Sequence, residues 1–247
     1  YPENIILVSD LVVLGSGADQ TIITAAGGNV VSATNVVDVT LAGFTIDGQG
    51  AASNGIFCGG VTAVMRINDN IITGATKGIR CSDSANVSIW SNTIRQNIED
   101  GIYCDGSANV DIKNNTIEQN GRDGILCVDS AQVTINNNTI NQNGEDGVEC
   151  GGSSNVNIDD NYLEDNGRYG VACNGNATVS VRNNDIRRNG IGIHCWNRAD
   201  VKIQGNNIKE NSSVGMYLSG SCQFEISSNT INYNYDHGIM TRLILYL

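Results

Sequence analysis

Seven cysteines stand at a regular spacing along this chain. Cys58, Cys81, Cys104, Cys127, Cys150, Cys173 and Cys195 follow one another at intervals of 23 residues, with 22 in the last step. Each closes a Gly-aliphatic-x-Cys tetrad, from Gly55-Ile56-Phe57-Cys58 to Gly192-Ile193-His194-Cys195, and the frame continues through Gly215-Met216-Tyr217-Leu218. A fixed period of this length is the signature of stacked repeats. Residues 101–123 show what one unit contains. Segments 101–104, 110–112 and 116–118 alternate apolar and polar residues, as half-buried strands do. Between them, segments 105–109, 114–115 and 120–123 are turns by composition, rich in Asn, Asp and Gly.

Three strands and three bends in 23 residues leave no room for a helical crossover. Each strand must then pair in parallel with its counterpart one coil away, which makes an all-β parallel β-helix with coils ~4.8 Å apart. The inward rows are homogeneous: Ile79, Ile102, Ile125, Val148, Val171 and Ile193 form one, Val87, Val110, Val133, Val156, Val179 and Val201 a second, and Ile94, Ile117, Ile140, Leu163, Ile186 and Ile208 a third. One unit cannot bury such faces alone, whereas a stack buries them continuously. Two asparagine rows, running through Asn92, Asn115 and Asn138 and through Asn97, Asn120 and Asn143, are placed to hydrogen-bond along the axis. The expectation is one domain over 1–247 of about ten coils, with irregular first coils in 1–54, regular repeats in 55–242, and a cap or truncated end at 243–247. Solenoid ends expose apolar core and unpaired edges, so either a fragment with missing caps or end-to-end self-association is expected.

The cysteine row itself reads as buried, reduced thiols. Equivalent Cβ atoms on adjacent coils point the same way ~4.8 Å apart, whereas a disulfide wants them facing at ~3.8 Å. Cys222 lies off the row, at the position that holds Ala85, Ala108, Ala131 and Ala177 in other coils. With 26 acidic against 14 basic residues the net charge is −12, which argues against a nucleic-acid or phospholipid partner. No apolar run is long enough to span a membrane.

The repeat, as in Val133-Thr-Ile-Asn-Asn-Asn-Thr-Ile-Asn-Gln-Asn-Gly-Glu-Asp-Gly-Val148, resembles that of the right-handed, pectate-lyase-like parallel β-helix superfamily. The opening Tyr1-Pro2-Glu3-Asn4-Ile5, Leu14-Gly15-Ser16-Gly17 and Thr21-Ile22-Ile23 are similar to the first coil of such domains. The resemblance implies a right-handed coil, a polysaccharide partner and an extracellular, periplasmic or cell-envelope setting. It spans lyases, glycosidases, epimerases and tailspikes, and so names no single activity. Asp236-His237-Gly238 echoes the Asp-Pro-His of alginate epimerases without its neighbours, so no catalytic role is carried over.

In that superfamily carbohydrate lies along the outer face of the Gly-aliphatic-x-Cys strand. The outward residues there are Phe57, Arg80, Tyr103, Leu126, Glu149, Ala172, His194, Tyr217 and Met240, with Tyr169 and Trp196 adjoining. Arg80, Tyr103, Tyr169, Trp196 and Tyr217 are the expected sugar contacts, since aromatic rings stack on flat apolar faces. Glu149, His194 and Tyr217 are the candidate catalytic residues, a base and acid set suited to β-elimination from an acidic sugar. A glycosidase needs two carboxylates at a set separation, and this face offers one. Coil spacing barely varies, so no long loop walls a cleft; binding or display along a polysaccharide is the leading reading, ahead of a lyase and of a plain structural spacer or adhesin. No cofactor is required. Asp100, Asp123 and Asp146 recur on three successive coils, as Ca²⁺ ligands or as a charged surface ladder neutralised by Glu99, Arg122, Glu145 and Arg168.

Overall fold

The computed structural model describes residues 3–25 and 27–243. Among them every strand pair is parallel, and the described strands form two sheets, one of 10 strands and one of 19. The solenoid expected from the repeat is therefore present. The reference unit contributes Ile102–Cys104, Asn109–Lys113 and Thr116–Glu118, the middle one a residue longer at each end than the alternation implied. The ten-stranded sheet takes the middle strand of each coil in chain order, which counts about ten coils. First and third strands share the larger sheet. They fuse where the intervening turn is extended, in Thr45–Gly59 and Ile71–Cys81.

Register follows the repeat residue for residue. Cys104 lies beside Cys81 and Cys127, Ile102 beside Ile79 and Ile125, and Val110 beside Val87 and Val133. The eight cysteines are all buried and unpaired. Segment 1–54 departs from the period without leaving the ladder: Ile5 pairs with Val31, Val31 with Ile56, and Ile56 with Ile79, so the early coils are simply longer. At the other end Ile239–Leu243 still pairs with Met216–Gly220; the rest of the expected cap, like Tyr1 and Pro2 of the opening motif, lies outside the described residues.

The bends hold because the buried asparagines hold them. Asn138 Oδ1 accepts both the backbone N–H of Asn115 at 2.9 Å and its side-chain amide at 3.0 Å. Its own Nδ2 donates to the carbonyls of Ile112 at 2.9 Å and Asn136 at 3.0 Å and to Asn161 Oδ1 at 3.0 Å. The same pattern runs in the second row, where Asn120 Nδ2 donates to Asn143 Oδ1 at 3.0 Å and to the Ile94 carbonyl at 3.2 Å. The left-handed residue that makes each bend precedes the ladder residue: Asn114 at φ 54° and Gln119 at φ 55°. Asn supplies the left-handed conformation readily; composition alone does not point to the glutamines of the second bend.

The tetrad glycine has its own cause. A Cβ on Gly124 would meet the Gly147 carbonyl oxygen and Ile140 Cγ2 at 2.6 Å and Asn143 Nδ2 at 2.9 Å, all fixed parts of the stack. Gly124→Ala and Asn138→Ala are therefore expected to destabilise the chain, the first by overpacking at ~1–3 kcal/mol. The second strands several buried polar groups, each at ~1–3 kcal/mol. Denaturant unfolding measures both, with Asn137→Gly as a control that keeps the left-handed bend and should change little.

Candidate functional site

The outer face of the first strand carries the row expected from the sequence, and its side chains gather into two groups. One group is Phe57, Arg80 and Tyr103. The Arg80 guanidinium lies 5.9 Å from the Phe57 ring centre and 5.6 Å from that of Tyr103, and Lys77 approaches the same tyrosine at 5.2 Å. Arg80 is anchored to Asp105 by an ion pair of 2.6 Å, so much of its charge is already engaged.

The second group is a cluster of four rings. His194 stacks on Tyr217, with centres 4.8 Å apart and planes 12° from parallel. Trp196 lies 4.4 Å from His194 on a tilted plane, and Tyr169 meets the imidazole edge-on at 4.8 Å. Strand register makes this contact: Ala172 pairs with His194 and His194 with Tyr217, while Tyr169 sits at the strand start beside Ile191. Arg168 stands over the Tyr169 ring at 4.9 Å. Burial, and secondarily the Arg168 charge, hold His194 down to about 4, so the imidazole is neutral near pH 7. Its Nδ1 is buried without a partner, and its Nε2 stands 3.5 Å from Ser219 Oγ.

Leu126, Glu149 and Ala172 separate the groups. Ala172 faces outward by register but is fully buried, and is not part of the exposed row. Glu149 is two coils from His194 through Ala172 and accepts a hydrogen bond from Asn174 Nδ2 at 2.8 Å. The three candidate catalytic residues thus divide, with His194 and Tyr217 in contact and Glu149 apart. Asp236 and His237 are exposed at a turn, Asp236 accepting from Ser213 Oγ at 2.9 Å.

The aspartate row corrects an expectation. Asp100, Asp123 and Asp146 are not a surface ladder; they are 0 %, 0 % and 1 % exposed. Each occupies the position before the tetrad glycine and caps the next coil: Asp123 Oδ1 accepts the Asp146 N–H at 2.9 Å, and Asp146 Oδ1 accepts that of Tyr169 at 3.0 Å. The column begins above Lys77, whose Nζ is 3.9 Å from Asp100, and ends where Tyr169 takes the aspartate's place. The alternating outer charges do pair, Glu145 with Arg122 at 3.6 Å and with Arg168 at 2.8 Å. Burial first, then neighbouring carboxylates, push Asp123 up to about 7 and Asp146 up to about 8. The sequence signal for this burial is the position itself, fixed before a glycine that packs against the next coil.

The chain belongs to the family described as the right-handed beta helix region, which matches residues 22–186 and, overlapping, 123–242. No curated protein matches it. Among solved structures it is similar to the A-module of the Azotobacter vinelandii mannuronan C-5 epimerase AlgE6, with a TM-score of 0.80 at 19% identity, covering 98% of this chain and 81% of that one. A mutant of the periplasmic alginate epimerase AlgG gives 0.64 at 16% identity, over 90% and 62%. The Dettilon tailspike protein gives 0.66 at 15% identity, over 96% and 60%. At these identities the likeness is one of fold. The chain spans about three fifths of the last two.

Asp123 and Asp146 have folded-state values above the ordinary carboxyl value near 3.8. They therefore hold protons in the folded chain that the unfolded chain has released, and stability is lost as pH rises toward 8. The groups around them are Asp100, Glu145, Glu149, Arg122 and Arg168. Thermal unfolding in a chelating buffer is expected to show a Tm that falls between pH 5 and pH 9, with a shallower fall in Asp146→Asn.

Proposed function

We propose that the chain is a polysaccharide-binding β-helix module that works outside the cytoplasm. The observation that carries this reading is the cluster of Tyr169, His194, Trp196 and Tyr217, half-buried side chains on the outer sheet face. Pyranose rings offer flat apolar faces that such rings stack against, and Arg168, paired with Glu145, borders the cluster over Tyr169. The turns beside this face are short among the described residues, as suits a long chain lying across coils more than a small molecule held in a cleft. The similarity to alginate epimerases, one of them periplasmic, supports both the partner class and the setting.

A second reading, an acidic-polysaccharide lyase, is favoured by the contact between a neutral His194 and the Tyr217 ring. It is the weaker of the two. A base held near 4 accepts protons poorly at neutral pH, and Glu149 stands two coils away, tied to Asn174. Retention on immobilised acidic and neutral polysaccharides tests the first reading. Trp196→Ala is expected to weaken binding by about tenfold, equivalent to ~1.4 kcal/mol. Equal retention of Trp196→Ala and the natural chain would count against the cluster. Shortening of the polysaccharide, lost in His194→Ala, would establish the lyase instead.

A further inference from the structure

We propose that Asp123, Asp146 and Glu149 form a binding site for a divalent cation of the Ca²⁺ type, independent of the glycan-binding reading. One carboxylate oxygen from each lies within 4.8 Å of the other two. Three oxygens so placed always have a common point no more than about 2.8 Å from any of them, close to the ~2.3–2.6 Å at which Ca²⁺ takes oxygen ligands. The site differs from the row of three aspartates that the repeat suggested. Asp100 is drawn to Lys77 at the foot of the column, and Glu149, reaching in from the outer strand, takes its place.

A second observation points to a ligand. Asp123 is wholly buried; its Oδ1 is committed to the Asp146 N–H, and its Oδ2 has no hydrogen-bond partner. A buried carboxylate oxygen left so is costly unless a cation or proton meets it. Among the described residues no lysine or arginine stands within ion-pair distance of Asp123, because Arg122 and Arg168 both turn to Glu145. Glu149 is half-buried, with Oε1 on Asn174, and gives a bare ion a route in from the surface. Asp146 and Glu149, three residues apart, would then grip the ion from one coil and Asp123 from the coil before, with water completing its shell.

The test is calorimetric titration of the chelator-stripped full chain with CaCl₂ at pH 9. One saturable site per chain is expected. Affinity should fall by about tenfold or more in Glu149→Gln and Asp146→Asn, and stay within about twofold in Asp100→Asn. Glu149 is not part of the core and its charge repels the two aspartates, so its variant should have a Ca²⁺-free Tm no lower than that of the natural chain and separate lost ligation from lost folding. Absence of saturable binding would overturn the proposal and leave protons as what the buried carboxyls hold. Binding that persists undiminished in Glu149→Gln would overturn it equally.

Discussion

Everything in this molecule depends on equivalent residues of successive coils lying one parallel-strand spacing apart. At that separation a backbone can hydrogen-bond to the next coil, and so can a side chain of the right length. The asparagine rows use this fully, each amide accepting from the coil before and donating to the coil after, as at Asn115, Asn138 and Asn161. Bends that would otherwise strand their carbonyls inside the stack are closed by these amides. Chains of polar groups buried in this way are secure only when every member is satisfied, and here they are built from one residue type repeated at one position.

The aspartate column obeys the same geometry with a different chemistry. A carboxylate can accept a backbone N–H from an adjoining coil as an asparagine does, here from the coil after rather than the coil before, but it has no donor, and its second oxygen is left over. Lys77 accounts for Asp100 at one end, and the change to Tyr169 stops the column at the other. Between them the buried Asp123 and Asp146 bring carboxylate oxygens close to one of half-buried Glu149, where charge is met by protons or by the proposed metal ion. That substitution of Tyr for Asp also begins the aromatic cluster, so the acidic column and the ring cluster adjoin through Tyr169.

The solenoid imposes a further constraint on function. A face made from one residue per coil changes its chemistry only by changing that residue, since the turns are short and the strands cannot move apart. Arg80 and Tyr103 at one place and His194, Tyr217 and Trp196 at another are such changes. Small Ala172 beneath the ring cluster is another, buried among larger neighbours though its register points outward. Binding to an extended partner needs only this kind of variation, whereas an enclosed active site would need longer loops.

The repeat alone determines the coil count, the three strands, the inward rows, the reduced cysteines and the asparagine ladders. The physical reason is that a fixed period allows one register, and register decides which residues are neighbours. The outward row follows by the same logic, and the period by itself sets His194 and Tyr217 side by side on adjacent coils. Tertiary structure decides what rests on depth and side-chain direction: that Asp100, Asp123 and Asp146 face inward, that Ala172 is covered, and that Tyr169 and Trp196 close on His194 from two sides. It also decides that Glu149 turns toward Asn174 and the aspartates, because a long side chain at a known register still has several directions to take.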